Sequence, residues 1–321
     1  MSAAQPSAPQ VVVVGAAARD IARSDPRGWR LGGGVTYGAL TIARLGLPTG
    51  ALIGVDEMAS TAAELDILRD AGIDVRTVRL EHGPIFENIE RPEGRLQISH
   101  SPSGPVPVGA LPAEWRAAPG WVLAPVAAEL PGEWAVVPSE EAIVAIGWQG
   151  LLRVLGADRP VEHLAPSATP IVRRADVVGV SRDDLDHRIL LAELCALLRP
   201  GATLAVTQGA NGGLVMEATA DGPVRMRHYP AIPTRRVVDA TGAGDVFLAA
   251  LAAARTEPRL IGGRIGQGHD VLLAAAAASL VLEGHGLHGV PDRTAVKARI
   301  REGLQAGLEP RAAPTQAALE N

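Results

Sequence analysis

Asp239-Ala240-Thr241-Gly242-Ala243-Gly244-Asp245, followed by Val246-Phe247 and an alanine-rich apolar stretch, decides the fold of this chain. It reads as a glycine-rich turn opening a helix. Small residues let backbone N–H groups approach an anion, and the helix N-terminus adds a partial positive charge. Asp245 closes the turn and would sit beside any phosphate bound there. An anion cradle with an adjacent base is what phosphoryl transfer to a hydroxyl needs.

Working outward, short apolar runs alternate with helical patterns. Val11–Gly15, Thr49–Val55, Val75–Leu80, Trp121–Ala124, Glu133–Val137, Ala142–Gly147, Asp176–Val180 and Thr203–Thr207 read as strands. Thr36–Leu45, Ser60–Ala71, Asp183–Leu198, Ala243–Ala254, Asp270–Leu282 and Thr294–Gly303 carry helical periodicity. This order predicts an α/β fold with a mostly parallel central sheet and helices on both faces. From His82 to Ser103 the chain turns polar, alternating and rich in Gly and Pro, which predicts a small β-hairpin appendage. The domain is expected over 11–308, with disordered tails at 1–10 and 309–321.

Composition excludes several functions. The formal charge of −5 over 321 residues argues against a general nucleic-acid binder. Cys195 is the single cysteine, so no intrachain disulfide forms, and its helical surroundings predict a small core residue. Lys297 is the one lysine, so there is no G-x-x-x-x-G-K-[ST] loop and no Schiff-base lysine. Any phosphate must be held by backbone amides and arginines. The polar N-terminus lacks a signal-peptide core and no run reaches spanning length, so a cytoplasmic protein is expected. The five tryptophans show no stacking order and are expected to pack. Arg19, Arg23, Arg27 and Arg30 are expected mainly as solvated charge. His285 and His288 lie in a glycine loop without a third ligand, which does not make a zinc site.

Upstream of the glycine turn, Thr207, Gly209 and Gly212 form a T-x-G-x-x-G spacing at a strand end. Together with Asp239–Asp245, which fits the signature D-[TA]-T-G-A-G-D, this resembles the ribokinase/PfkB family of small-molecule kinases. Gly32-Gly33, Ala43-Arg44-Leu45-Gly46, Ile53-Gly54-Val55-Asp56 and Gly15 to Asp20 extend the resemblance along nearly the whole chain. It implies a ribokinase-like fold, with 82–103 as a β-lid over the substrate. It further implies ATP-dependent transfer to a hydroxyl of a small polyol, with Asp245 as the base. The amides of Gly242, Ala243 and Gly244 would form the anion hole. Asp20, Gly32, Gly33 and Tyr37 would face the acceptor, and Glu87, Asn88 and Gln97 of the lid could reach it. Thr207, Gly209, Gly212 and Thr241 would border the nucleotide.

The family's N-x-x-E, which organises Mg²⁺ through water, reads Ser181-Arg182-Asp183-Asp184 here. Ser181 and Asp184 therefore stand as indirect metal residues. A monovalent cation such as K⁺ would lie near Gly284–Gly289. Tyr37 stands where many sugar kinases carry Asn. With Ile146–Arg153 and Ser279–Gly286, it gives a looser similarity to myo-inositol kinases, which ranks a cyclitol beside a sugar as acceptor. The lid is expected to be minimal. Implied partners are the polyol and ATP, with no nucleic acid or membrane and a homodimer formed through the lid. A nucleoside kinase and a non-catalytic sugar-binding regulator are the alternative readings.

Overall fold

Val11–Val14 are all fully buried, as a strand covered on both faces requires, and they seed the centre of the main sheet. The computed structural model describes residues 8–91, 94–218, 225–263 and 268–312. The expected tails fall largely outside these residues, at 1–7 and 313–321.

The first strands are β1 (Val11–Ala16), β2 (Ala18–Ile21), β3 (Trp29–Gly32), β4 (Thr49–Val55), β5 (Asp74–Arg79), β6 (Ile85–Arg91) and β7 (Gly94–Ser101). Then come β8 (Gly120–Leu123), β9 (Ile143–Gly147), β10 (Arg153–Val154), β11 (Arg159–Pro160) and β12 (Glu162–His163). The last are β13 (Val177–Ser181), β14 (Thr203–Thr207), β15 (Gly213–Glu217), β16 (Arg225–Tyr229) and β17 (Arg311–Ala312). Helices are α1 (Gly34–Arg44), α2 (Glu64–Asp70), α3 (Pro170–Arg174), α4 (Leu191–Ala196), α5 (Ala243–Thr256), α6 (His269–Val281) and α7 (Arg293–Gln305).

A ten-stranded sheet runs in the order β17-β16-β15-β14-β13-β9-β8-β1-β4-β5. From β14 to β5 all neighbours are parallel, and β15, β16 and β17 add an antiparallel edge. This is the ribokinase-like α/β fold expected from the sequence. One face packs on α1, α2, α5, α6 and α7, with Val13, Leu40, Ala250 and Ala274 in its core. The other carries Val12, Val14 and the four tryptophans Trp115, Trp121, Trp134 and Trp148, each no more than 1 % exposed. Cys195 is buried on this second face, as expected.

The appendage differs from expectation. The 82–103 hairpin forms as β6 and β7, but it belongs to a five-stranded sheet in the order β11-β7-β6-β2-β3. The lid is therefore not minimal. Its extra strands come from residues that sequence placed in the loop after β1 and from the short pair Arg159–Pro160. Main-chain pairing between such distant segments leaves no local pattern.

Three smaller corrections follow the same logic. Residues 132–136 form a 3₁₀ turn, not a strand, between Pro131 and Pro138, with Trp134 Nε1 donating to the Val106 carbonyl at 2.9 Å. The 183–198 helix shrinks to α4, because Asp186 accepts from Arg188 N and turns the chain first. The folded chain runs four residues past the expected boundary at 308, since Arg311 and Ala312 pair with His228 and Arg227. Among the described residues no helix is long and apolar enough to cross a membrane.

Glu129 fixes the edge of the sheet where the site lies. Its carboxylate is 1 % exposed and accepts from the amides of Ala16 at 2.9 Å, Val126 at 3.0 Å and Ala127 at 2.8 Å. It thus ties the loop after β1 to the loop after β8. Burial raises its pKa, while these amides favour the ionised form. Glu129→Ala would leave three buried amides without an acceptor. We expect a loss of at least about 2 kcal/mol in urea unfolding; an unchanged midpoint would refute the tether.

Candidate active site

Two helix N-termini meet at the carboxyl edge of the parallel strands, where open α/β sheets form their ligand crevices. Gly242 takes φ 80° as the N-cap of α5, and no side chain caps that helix. The Ala243 amide makes a long 3.5 Å bond to the Ala240 carbonyl, and the absence of a side-chain cap leaves this helix start suited to an external acceptor. A Cβ on Gly242 would stand 2.5 Å from the Tyr37 ring, so glycine is required by both conformation and space. At Gly244 a Cβ would meet nothing within 4 Å, which is the open room an anion would fill.

Asp239 organises this turn from outside. Its Oδ1 accepts from Thr241 N at 2.9 Å, and its Oδ2 accepts from Gly286 N at 3.3 Å. Arg30 of β3 places Nη1 3.8 Å from the same carboxylate, which joins the lid base to the glycine turn.

Asp245 sits in the first turn of α5, against the start of α1. A Cβ on Gly34 would lie 2.8 Å from Asp245 Oδ1 and 3.1 Å from Ala124 Cβ. Burial raises the Asp245 pKa to about 6; Arg153 opposes that rise and Asp184 adds to it. A carboxyl near 6 is well placed to take a proton at neutral pH.

Asp20 lies on β2, inside the lid sheet, with Arg30 and Phe86 as its cross-strand partners. Its carboxylate packs on Gly32, leaving no room for a side chain there. Gly33 takes φ 94°, and a Cβ on it would press on Ala16 O and Ala18 N. Both glycines are thus needed for β1, β2 and α1 to converge. Arg19, beside Asp20, donates to Asp56 Oδ2 from Nε at 2.9 Å and from Nη2 at 2.6 Å. Asp56 follows β4, so this pair hinges the lid to the main sheet.

Tyr37, expected to face the acceptor, lies with its ring against Gly32 and Gly242. It is 2 % exposed and props Gly242 with its ring. Burial and the charges of Asp20, Asp239 and Asp245 keep its phenol protonated. The arginines are also more engaged than solvated charge. Arg27 stacks 4.7 Å over Trp29 and bridges Asp25 and Glu64, while Arg23 alone of the four is largely exposed. In the lid, Gln97 donates to Asn88 at 2.9 Å, and Glu87 faces His100 and Arg23.

Thr207 ends β14 and pairs in register with Ser181 of β13. Gly209 and Gly212 take φ 54° and 76° in the turn into β15, where Gln208 N donates to Gly212 O at 2.7 Å. The T-x-G-x-x-G and Ser181–Asp184 segments therefore lie side by side. Ser181 Oγ accepts from Asp183 N, and both oxygens of Asp184 accept from Gln149 Nε2 at 2.8 and 2.9 Å. Arg153 Nη2 stands 3.5 Å from Asp184 as well. Among the described residues no group of three or more acidic, His or Cys side chains could hold a metal. An Asp184 already engaged by an amide and a guanidinium does not fit a direct Mg²⁺ ligand.

Sequence reasoning gives no task to Glu129, Gly34, Gln149 or Arg153. The last two fall in a run quoted only for its resemblance. No local pattern marks any of the four, because each acts across strands distant in sequence.

Comparison with known proteins places this arrangement. Residues 177–293, which hold the T-x-G-x-x-G turn, Asp239–Asp245 and α5, match the profile described as pfkB family carbohydrate kinase. Over these residues the chain is similar to that family. It is 32 % identical over 260 residues to the bifunctional protein HldE of Pseudomonas fluorescens SBW25, covering 78 % of this chain and 52 % of that protein. The chain spans about half the length of the curated relatives it matches, from 40 to 52 %. Among solved structures it resembles a pyrophosphate-dependent kinase in the ribokinase family, complexed with a pyrophosphate analog and myo-inositol. The TM-score is 0.67 at 19 % identity, covering 90 % of this chain and 99 % of that one. Arabidopsis thaliana ribokinase, complexed with ribose and ATP, gives 0.62 at 19 %, covering 92 % and 99 %. These structural likenesses show the fold.

Gly34→Ala should displace the Asp245 carboxylate with little loss of fold. We expect turnover down at least about tenfold with the melting temperature nearly unchanged; full turnover would refute the close approach. A second prediction concerns pH. Asp245 binds its proton more tightly folded, near 6, than at its ordinary 3.8. Its contribution to stability is therefore greatest below about 4 and is lost as pH rises through 6. Asp245→Asn should raise the melting temperature more at pH 7.5 than at pH 5. Equal shifts at both would contradict the raised pKa.

Proposed function

We infer that the protein is a kinase transferring the terminal phosphoryl group of ATP to a hydroxyl of a small polyol, a sugar or a cyclitol. One observation carries this reading: the Asp245 carboxylate stands at the joined N-termini of α1 and α5, beside an uncapped glycine turn. A base and an anion hole are thereby within one atom layer of each other. The family similarity supports the same chemistry.

In the reaction, Asp245 takes the proton from the acceptor hydroxyl. The oxygen attacks the terminal phosphorus in line, a new O–P bond forms, and the bond to the bridging oxygen breaks. The electron pair leaves with ADP. The amides of Gly242, Ala243 and Gly244 receive the charge that develops on the phosphoryl oxygens, where fixed dipoles are most effective. Asp20 accepts from acceptor hydroxyls beneath the lid, with the Gly32 and Gly33 backbone as floor. Thr207, Gly209, Gly212 and Thr241 border the nucleotide. Magnesium would neutralise donor phosphate charge, and Ser181 and Asp184 would hold it indirectly, through water. A homodimer through the lid and a monovalent cation near Gly284–Gly289 belong to the same reading.

The test is a product assay with ATP or pyrophosphate as donor over a panel of sugars, cyclitols and nucleosides. We expect transfer to a polyol, lost by about 10²–10⁴-fold in Asp245→Asn. Transfer confined to nucleosides would point to a nucleoside kinase. Polyol binding without any transfer would make the protein a non-catalytic regulator.

A further inference from the structure

Among the described residues, Arg153 is a cation held among the site carboxylates with a buried donor to spare. It lies on β10, with its side chain 8 % exposed. Its guanidinium stands 5.8 Å from the centroid of Phe86, the lid residue paired with Asp20. Asp184, Asp245 and Asp20 all act on it electrostatically. It therefore reaches both halves of the site: the lid side, where the acceptor is expected, and the Ser181–Asp184 side, where the donor is expected.

A buried guanidinium is costly unless its five N–H groups are used. Here they are not. The Nε atom is buried without a hydrogen-bond partner. The link to Asp184 is a single separation of 3.5 Å, far from the short, forked geometry of a structural arginine–carboxylate pair. Asp184 has both oxygens engaged by Gln149 instead. Arg153 is thus positioned by Asp184 and Phe86 but leaves its Nε edge unspent.

Three carboxylates line this centre, and a phosphoryl group brings more negative charge among them. The only lysine, Lys297, lies exposed on α7. Arg30, the other arginine at the site, stands beside Asp239 at the far side of the glycine turn. We propose that Arg153 grips the phosphoryl group in flight, its Nε–H and one Nη–H donating to two phosphoryl oxygens opposite the Gly242–Gly244 amides. The inference rests on the kinase reading above for the identity of the anion. A planar fork suits two oxygens of one phosphorus better than a scattered set of hydroxyls.

The experiment compares wild type, Arg153→Met and Arg153→Lys by calorimetric titration with AMPPNP, ADP and pyrophosphate, without acceptor. Circular dichroism reports folding. We expect Arg153→Met to weaken AMPPNP and pyrophosphate at least tenfold while ADP changes less than threefold. Arg153→Lys keeps the charge but loses the fork. It should fall between the two, and it carries the comparison if the Met variant does not fold. In turnover, kcat should drop at least a hundredfold with acceptor KM within about threefold. Equal AMPPNP affinity in wild type and variants would overturn the grip. So would a loss confined to acceptor KM, which would place Arg153 on the acceptor instead. A wild type that transfers to no acceptor defeats the kinase reading, whereas the AMPPNP-to-ADP contrast still decides the role of Arg153.

Discussion

The close approach of α1 and α5 is the constraint on which the rest of this structure depends. Gly34 and Gly38, one turn apart, carry no side chain toward α5. The space is taken by the Asp245 carboxylate at Gly34 and is bordered by Ala249 near Gly38. At Gly34 even a methyl group would press on the Asp245 carboxylate, whereas at Gly38 it would make ordinary contact with Val13 and Ala249, so the tight point lies at the two N-termini. The alanines of α5 continue the seam: Ala249, Ala250, Ala252, Ala253 and Ala254 are all buried. The composition that looks bland in sequence is what lets a carboxylate and two helix N-termini converge. Close packing here fixes positions to fractions of an ångström, as transfer chemistry requires.

Electrostatically the site is a balance between burial and helix termini. Asp245 loses water and gains the field of two N-termini, which favours its charge. Asp184 opposes ionisation and Arg153 restores part of it. The net result is a carboxyl whose pKa is raised to about 6 from its ordinary 3.8. Tyr37 sits under the same turn with its phenol protonated. Four carboxylates, Asp20, Asp184, Asp239 and Asp245, around one buried tyrosine and one buried arginine form a network in which each member limits the others. Such a network is stiff when every donor is used, and the unspent edge of Arg153 is an open valence in it.

Legibility in the sequence follows the range over which each feature is encoded. The parallel sheet was readable because β1, β4, β9, β13 and β14 are each self-contained apolar runs. The glycine turn was readable because conformation, small size and helix entry coincide within seven residues, Asp239 to Asp245. The lid was readable only as a polar hairpin. Its β2–β3 pair is hidden between Ala18 and Gly32, where arginines interrupt the alternation, and Arg19 and Arg27 are explained by Trp29 within the pair and by Asp56 and Glu64 from elsewhere. Tyr37 is expected at the acceptor from its place in the motif, and its ring lies against both Gly242 and Gly32, a contact no local pattern in the sequence shows.

The lid and the glycine turn are not independent parts. Arg30 on β3 faces Asp239, Asp239 binds Thr241 N and Gly286 N, and Thr241 leads into the anion turn. On the other side Arg19 ties β2 to Asp56, and Glu129 ties Ala16 to the loop after β8. Asp20 therefore rides on a strand whose N-terminal side is anchored to the main sheet by two separate carboxylates, Asp56 through Arg19 and Glu129 through Ala16. On the proposed reading, the strand that would recognise the acceptor is thus tied through Arg30 and Asp239 to the turn that would hold the phosphoryl group, so a displacement of either part would be felt by the other.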